Sequence, residues 1–283
     1  IVERRQVISD SGGRSTGGQV AEAVRVGAAG PTIEPRWIEL DEIDSTNAEA
    51  MRRALTAHRG PLYIRPNRQT AGRGRSGRPW AAAPGNLALS RLGRIGAPPG
   101  LVPQLSLVAG VAVWTAVATV LGESDNGGLL QLKWPNDVLL DGAKLAGILV
   151  EATVVGGEPV AVIGIGLNVA HAPDVPGRRT AALAAVARCE PVLDQISREV
   201  ARCLEAALVL WDEGRGFEAI RRGWLAALVR EGAAMTIDIK AGKVSGLCAG
   251  SDADGALLLA DEAGRLRSSA YGDVTRASER EMS

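Results

Sequence analysis

The spacing of hydrophobic and polar residues predicts a chain of mixed helices and strands from Trp37 onward. Thr46 and Glu49 have the spacing of a capping box, which predicts a helix from there to about His58. Elsewhere in this half, alternation predicts strands, and a long apolar stretch predicts a buried helix. These elements are an extended segment at 37–43, strands from Tyr63 and at 86–92, and a helix at 101–121 that Gly122 closes.

The second half of the chain predicts a sheet core, then two helices, then a small barrel. The core strands are predicted at Leu129–Trp134, Val138–Leu140, Leu145–Val155 and Val160–Val169. Helices are expected at about 193–213, with apolar residues at helical spacing, and at 217–230. Beyond Gly232, short strands separated by Gly and Asp turns predict a small β-barrel. Residues 1–32 are rich in Gly, Ser, Ala and Arg and predict a flexible leader.

Charges cancel over the 283 residues, with 32 basic and 32 acidic side chains, but they are unevenly distributed. The balance argues against a protein that binds nucleic acid or membrane surfaces in general. No acidic residue occurs between Glu49 and Glu123, whereas arginines are frequent there. They are Arg52, Arg53, Arg59, Arg65, Arg68, Arg73, Arg75, Arg78, Arg91 and Arg94. We therefore expect this interval to bind an anion.

The rarer residue types exclude several classes of protein. Three widely spaced cysteines support neither a disulfide framework nor a zinc cluster and favour a reducing cytoplasm. The two histidines, His58 and His171, are poorly placed for a His-rich metal site or a Ser-His-Asp triad. The N-terminus has no apolar stretch of signal-peptide length. Prolines and polar residues interrupt the uncharged stretch 95–122, which leaves too little apolar chain to span a membrane.

The loop from Gln69 to Trp80 is the most unusual stretch. Its glycines allow close backbone approach to a ligand, and Arg73, Arg75 and Arg78 offer forked donors for phosphate or carboxylate oxygens. Residues 72–77 formally match G-x-G-x-x-G, but the acidic residue that a dinucleotide site needs about twenty positions later is missing. A P-loop motif is also missing. A disordered loop of the RNA-binding type remains the alternative for this segment.

Two further segments contain candidate ligand-binding or catalytic residues. Only four lysines occur in the chain, and two of them, Lys133 and Lys144, flank the sequence WPND. A lysine retained in so arginine-rich a chain suggests a role for a compact ammonium, although Lys144 could equally be a surface residue and Asp137 a turn residue. The strand end at 164–169 carries two glycines and Asn168. Glycine inside a strand indicates close approach of a ligand or backbone, or a tight packing contact.

These segments together resemble one family. DSTN at 44–47, QTAGRGRSGRPW at 69–80, KWPNDVLLDGAKLAGILVE at 133–151 and GIGLNV at 164–169 occur in the order typical of biotin protein ligases, the biotin–[acetyl-CoA-carboxylase] ligases. The resemblance covers about 37–277. It implies an α+β fold of the class II synthetase-like type, with a central mixed sheet flanked by helices at 33–231 and an SH3-like barrel at 232–277. Residues 1–32 do not resemble a winged helix, so we expect the short class without DNA binding.

The resemblance also implies an activity. Such enzymes join biotin to ATP, which forms biotinyl-5′-AMP and pyrophosphate, and transfer biotin to a lysine of the biotin carboxyl carrier protein of acetyl-CoA carboxylase. We therefore expect a cytoplasmic enzyme that uses biotin, ATP and Mg²⁺, with no DNA or membrane partner and with a homodimer left open. A lipoate or octanoate ligase or transferase of related fold is the alternative enzyme. An RNA-binding module and a catalytically dead biotin sensor are alternatives of other classes.

The roles implied for single residues follow the matched motifs. The expected catalytic residues are Lys144, Arg73, Arg75 and Asp137. The expected biotin-binding residues are Ser45, Thr46, Asn47, Gln69, Arg73, Gly74, Arg75 and Lys144. The expected ATP-binding residues are Arg75, Arg78, Trp80, Lys133, Asn136 and Asn168, with Asn168 near the adenosine and Asp137 helping to hold Mg²⁺. The 71–78 loop is expected to close over the acyl-adenylate.

Three departures from the family pattern concern the wall of the pocket. Residues 81–83 lack a usual Ser-Pro pair, and residues 181–183 lack a usual Thr-Ser pair. Arg91 stands in a strand where the family has apolar residues, and we expect it to weaken the packing of the biotin pocket wall. No general base for the transfer step is evident from the sequence.

Overall fold

Two β-sheets organise the part of the chain that the structure, a computed structural model, describes. That part is residue 24 together with residues 35–56, 60–81, 83–122, 129–187, 190–228, 232–239, 242–270 and 272–276. The larger sheet has seven strands in the order β1-β2-β3-β7-β6-β5-β4, and β1 and β2 are its parallel pair. Its strands are β1 (Arg36–Ile43), β2 (Leu62–Gln69), β3 (Leu87–Arg94), β4 (Leu130–Lys133), β5 (Asp137–Leu140), β6 (Ala143–Val155) and β7 (Glu158–Leu167).

Helices cover both faces of this mixed sheet. In chain order they are α1 (Thr46–Leu55), α2 (Gln104–Leu121), α3 (Leu193–Trp211) and α4 (Phe217–Ala226). The larger core lies between the sheet and helices α2 to α4. A smaller core lies under α1 and includes Ala50, Ile64 and Leu92. The arrangement confirms the predicted α+β class with a central mixed sheet.

The second sheet is antiparallel and contains the C-terminal strands. Its order is β11-β10-β9-β8-β12. The strands are β8 (Ala234–Ile239), β9 (Gly242–Ser251), β10 (Leu257–Ala260), β11 (Leu266–Ser269) and β12 (Asp273–Arg276). The indole Nε1 of Trp134 donates to the carbonyl of Gly255 at 3.0 Å, which ties this sheet to the larger one.

Most elements predicted from periodicity are present with ends shifted by a few residues. The first helix ends at Leu55, and His58 lies outside the described residues. Strand β12 (Asp273–Arg276) was not predicted. The leader at 1–32 also lies outside the described residues except for Val24, which is buried in the larger core.

Helix α2 is long and apolar enough to cross a membrane, with a mean hydropathy of 1.8. However, 83% of it is buried inside the fold. A Cβ added to Gly110 of this helix would lie at ordinary van der Waals distance from Leu132 of β4, at 3.6 Å, and from the indole of Trp224, at 3.7 Å, so the helix packs against both. The helix is therefore the centre of the larger core.

Arg91 on β3 lies on the sheet face that points away from the cleft. Its Nε and Nη2 donate to Glu205 of α3 at 2.7 Å and 3.1 Å, and the hydroxyl of Tyr63 donates to the same carboxylate at 2.9 Å. Burial, and next the charge of Glu205, raise the pKa of the Tyr63 phenol well above its usual value. The expectation that Arg91 weakens the pocket wall is wrong, because alternation along β3 turns Ser90 toward α1 and Arg91 toward α3.

Candidate active site

A cleft of about 590 Å³ lies between the larger sheet, the loop after β2 and the C-terminal sheet. All the residues that the family resemblance singled out line it. They are Ser45, Thr46, Asn47, Gln69, Arg73, Gly74, Arg75, Arg78, Trp80, Lys133, Asn136, Asp137, Lys144 and Asn168. The fold therefore brings four separate sequence segments to one place.

The N-terminus of α1 forms one end of the cleft. Ser45 is the N-cap, and its Oγ accepts a hydrogen bond from the N–H of Ala48 at 3.4 Å. The predicted capping box was therefore one residue too late. Both the N–H and the hydroxyl of Thr46 instead donate to Oε1 of Gln69, at 2.9 Å and 3.2 Å. A partner 23 residues away on β2 thus takes the place of the local cap.

Asn47 is buried, and its amide is committed to protein partners. Its Nδ2 donates to the carbonyl of Leu149 at 3.2 Å and to Oε2 of Glu151 at 2.8 Å. Its Oδ1 accepts from the hydroxyl of Ser90 at 2.6 Å. A Cβ on Gly164 would lie 2.1 Å from Oδ1, so glycine is required beneath this side chain. Both amide hydrogens are used, which leaves only Oδ1 able to accept from a ligand.

The arginine loop is a tight turn closed by its own backbone. The N–H of Gly74 donates to the carbonyl of Arg78 at 2.7 Å, and the N–H of Trp80 donates to the carbonyl of Gly72 at 2.9 Å. Residues Arg75–Gly77 form a short 3-10 turn. A Cβ on Gly72 would lie 2.4 Å from Nε2 of Gln69 and 2.6 Å from the carbonyl of Trp80. The loop can therefore fold back against the end of β2 only because that position has no side chain.

Arg75 joins the loop to two other parts of the cleft. Its Nη1 donates to Oδ1 of Asn136 at 3.3 Å, and its Nη2 donates to the carbonyl of Gly272 at 3.0 Å. Gly272 precedes β12 of the C-terminal sheet, and Asp238 and Val274 of that sheet also line the cleft. The C-terminal sheet is therefore part of the cleft wall.

Lys144 and Asp137 form a close ion pair in the middle of the cleft. Nζ of Lys144 donates to Oδ1 of Asp137 at 2.6 Å, and each side chain is 15% exposed. The backbone of Lys144 is held by the segment that follows β7: its N–H donates to the carbonyl of Arg179, and its carbonyl accepts from Ala181, both at 2.9 Å. The residue is thus held at its backbone and at its ammonium. In the described part of the chain two of the three ammonium hydrogens have no acceptor, so they are available for an anionic ligand.

Trp80 lies over the strands beside this pair. Its ring centroid is 5.6 Å from Nζ of Lys144, within range of a cation–π contact. A Cβ on Gly166 would lie 2.2 Å from the indole, and one on Gly147 would lie 3.0 Å from it. The buried Nε1 of Trp80 has no hydrogen-bond partner among the described residues. The glycines of the GIGLNV segment therefore make room for the side chains of Asn47 and Trp80. This is the tight packing contact that the sequence predicted as the alternative to close approach of a ligand.

Asn168 is 1% exposed and holds the cleft wall together. Its Nδ2 donates to the carbonyls of Lys144 at 3.3 Å and Ala181 at 3.0 Å, while its Oδ1 has no partner in the described part of the chain. Among the described residues, no group of three or more His, Cys, Asp or Glu side chains could hold a metal ion. Asp137 is therefore a single carboxylate rather than part of a dedicated metal cage.

Sequence reasoning missed Ser90 and Glu151. Both act behind the cleft: Ser90 lies 2.7 Å from Oγ1 of Thr46 and 2.6 Å from Oδ1 of Asn47, and Glu151 accepts from Asn47 at 2.8 Å. The alternation of β3 could have shown that Ser90 is a polar residue on a buried face. Sequence reasoning also missed segment 173–180 and Asp238, because no local pattern indicates that these residues line the cleft.

Comparisons with known proteins identify the family. Residues 40–169 match the model of the biotin/lipoate A/B protein ligase family. The chain is 36% identical over 234 residues to a biotin–[acetyl-CoA-carboxylase] ligase of Paracoccus denitrificans, an alignment that covers 80% of this chain and 95% of that protein. It is 34% identical over 247 residues to the enzyme of the same name from Mycobacterium tuberculosis, which covers 84% and 89% of the two chains.

A solved structure shows the same fold. The biotin protein ligase of Aquifex aeolicus, in complex with biotin and ATP, has a TM-score of 0.71 at 24% identity and covers 86% of this chain and 99% of its own. The relatives do not favour the lipoate or octanoate alternative. The chain belongs to the biotin/lipoate A/B protein ligase family, among the biotin protein ligases.

Proposed function

We propose that this enzyme activates biotin with ATP, releasing pyrophosphate, and transfers the biotinyl group to a lysine of the biotin carboxyl carrier protein of acetyl-CoA carboxylase. Two relatives that align over most of their length carry the name of this activity. The observation that carries the proposal is the single cleft in which a polar pocket at the start of α1 adjoins the Lys144–Asp137 pair and the arginine loop. That arrangement suits a ligand with a polar head, a carboxylate and a nucleotide.

The first half-reaction requires two anions to meet. A carboxylate oxygen of biotin attacks the α-phosphorus of ATP, a new C–O–P linkage forms, and pyrophosphate leaves with the electrons of the broken P–O bond. Lys144, Arg73 and Arg75 would lower the repulsion and stabilise the charge that develops on the phosphate oxygens. Because the ion pair with Asp137 already holds Lys144 in the cleft, little reorganisation of its ammonium is needed when the ligands bind.

The polar head of biotin is a ureido group with two N–H donors and one carbonyl acceptor. In the described part of the chain, the Nε2 hydrogens of Gln69 and the hydroxyl hydrogen of Ser45 have no acceptor, so they can donate to that carbonyl. Oδ1 of Asn47 and Oγ1 of Thr46 can accept from the ureido nitrogens. Gly74 would let the loop backbone pass close to the bound acyl chain.

The nucleotide would lie on the side of Trp80, Arg78 and Lys133. The indole offers a flat surface for an adenine ring, and the unpartnered Nε1 of Trp80 and Oδ1 of Asn168 are a donor and an acceptor that a polar ligand could satisfy. Asn136 holds Arg75 toward the phosphates. Mg²⁺ in nucleotide sites is commonly held by one or two carboxylates together with substrate phosphates. Asp137 fits that mode, with the metal arriving as part of the ATP substrate.

In the second half-reaction the amine of the carrier lysine attacks the acyl carbon, and AMP leaves. Lys144 would again stabilise the negative charge on the leaving phosphate. We propose that the 71–78 loop closes over the adenylate between the two steps. We also propose a catalytic domain at 33–231 and a barrel at 232–277, which together form a cytoplasmic enzyme. Light scattering can decide whether it associates as a homodimer.

Biotin-dependent exchange of labelled pyrophosphate into ATP tests the proposed function. Exchange should require biotin and Mg²⁺ and should fall by about 10²–10³-fold in Lys144→Ala, the usual cost of removing one group that stabilises developing charge. Arg222→Ala is the control, because that exposed arginine pairs with Glu218 at 3.9 Å on α4, outside the cleft. Folded protein that shows no exchange with biotin would refute the proposal, and exchange with lipoate or octanoate instead would favour the alternative enzyme.

A further inference from the structure

Glu151 on β6 contacts two parts of the cleft wall without lining the cleft itself. Its Oε2 accepts from Nδ2 of Asn47 at 2.8 Å. Its Oε1 lies 3.7 Å from Nη2 of Arg73 in the arginine loop. One carboxylate thus touches both the pocket at the start of α1 and the loop that carries the cations.

The carboxylate decides which way the amide of Asn47 faces. Because Glu151 and the carbonyl of Leu149 are both acceptors, the NH₂ group of Asn47 must face β6. Its Oδ1 then faces Ser90, whose hydroxyl donates to it at 2.6 Å. The reversed amide would place an oxygen against two acceptors in a site where Asn47 is 4% exposed. The pocket therefore keeps an acceptor at Oδ1.

The second contact concerns the loop. Arg73 is 49% exposed, and Glu151 supplies its ion pair in the described part of the chain. A carboxylate or phosphate that enters the cleft carries the same charge as Glu151 and competes for the same guanidinium. The pair is long and partly solvated, so an anionic ligand can displace it at little cost.

We propose that Glu151 is a positioning residue that presents Oδ1 of Asn47 as an acceptor for biotin and holds the 71–78 loop through Arg73 until an anionic ligand takes over that arginine. The proposal rests on the proposed biotin-ligase function. Its two halves are separable, because the pocket contact needs only an acceptor at position 151, whereas the loop contact needs a negative charge.

Two variants separate these halves. Glu151→Gln keeps an oxygen for Asn47 but removes the charge, so we expect the KM for biotin to stay within about twofold while tryptic cleavage after Arg73 or Arg75, without ligand, accelerates about two- to fivefold. Glu151→Ala removes the acceptor as well, so the KM for biotin should rise about tenfold or more. Glu158→Gln is the control, since Glu158 pairs with Arg94 at 2.7 Å on β7, outside the cleft.

The measurements are biotin KM and kcat from pyrophosphate exchange, the rate of tryptic cleavage, and the Tm of each variant. A Glu151→Ala protein with the parent's KM for biotin would overturn the pocket half, even if its Tm falls. A Glu151→Gln protein cleaved at the parent's rate would overturn the loop half. Parent protein that lacks biotin-dependent exchange would overturn the proposed function and the pocket half together, while the ligand-free cleavage rates would still decide the loop half.

Discussion

Replacing Gly166 by alanine would place a methyl group where the indole of Trp80 now lies. A Cβ at Gly166 would be 2.2 Å from Cε2 of Trp80 and 2.5 Å from its Nε1, whereas ordinary contacts begin at 3.4 Å. The ring must therefore move by about 1.2 Å, the difference between 3.4 Å and 2.2 Å. Since Gly147 and Lys144 lie next to the same ring, the displacement also disturbs the centre of the cleft.

The variant should lose activity and remain folded. Gly166 does not have a positive φ, so alanine fits the backbone, which favours the strand by about 0.5–1 kcal/mol. The methyl group meets the indole, however, and such overpacking costs about 1–3 kcal/mol. A misplacement of about 1 Å in an active site can cost about 10²-fold in rate, which corresponds to about 2.7 kcal/mol of transition-state stabilisation. We therefore expect kcat/KM for biotin-dependent pyrophosphate exchange to fall about 10²-fold, while the free energy of unfolding falls by no more than about 2.5 kcal/mol.

The assay compares Gly166→Ala with Gly60→Ala, because a Cβ at Gly60 would meet nothing within 4 Å. Pyrophosphate exchange gives the activity, and thermal unfolding gives the stability. If folded Gly166→Ala retained kcat/KM within about threefold of the parent, a shift of the indole would be without consequence, and the reasoning that places Trp80 in the nucleotide site would be refuted.

Two further predictions concern stability. Glu205→Ala should leave the mostly buried guanidinium of Arg91 unpaired and lower the free energy of unfolding by about 3–5 kcal/mol in denaturant titration, whereas Glu218→Ala, at an exposed pair, should change little; equal losses would contradict this. The hydrogen bond from Arg52 lowers the pKa of Asp44 from 3.8 to about 2, so its contribution is present above pH 4 and is lost as the pH falls toward 2. The Tm of Asp44→Asn should lie below the parent's near neutral pH and converge with it by about pH 2; a constant difference would refute the assignment.

Local signals account for the elements that the sequence predicted well. The apolar run that became α2 and the strands on either side of WPND can be read from neighbouring residues alone. The glycines and arginines of the loop and the rare lysine stand out against this composition, whereas the biotin-binding residues at 45–47 and Gln69 were predicted from the resemblance to biotin protein ligases. All the predicted site residues line one cleft, although their individual roles remain proposals.

The errors share one physical cause, which is a partner distant in sequence. The N-cap of α1 is Ser45 rather than the predicted Thr46, because Oε1 of Gln69 on β2 accepts from both the N–H and the hydroxyl of Thr46. Arg91 was expected to weaken the pocket wall because its partner Glu205 is 114 residues away in the sequence. The sequence neighbours of Thr46 and Arg91 indicate neither contact.

The sequence by itself determined the order of the elements through periodicity, and the fold class and the four segments that make the cleft through motifs that resemble those of biotin protein ligases. Both signals are properties of neighbouring residues. Only the tertiary structure decided which contacts the side chains of those segments make. It showed that both amide hydrogens of Asn47 are committed, that Glu151 stands behind both pocket and loop, and that Gly272 of the C-terminal sheet accepts from Arg75. Such contacts depend on distances between chain segments, and a linear pattern of residue types does not contain those distances.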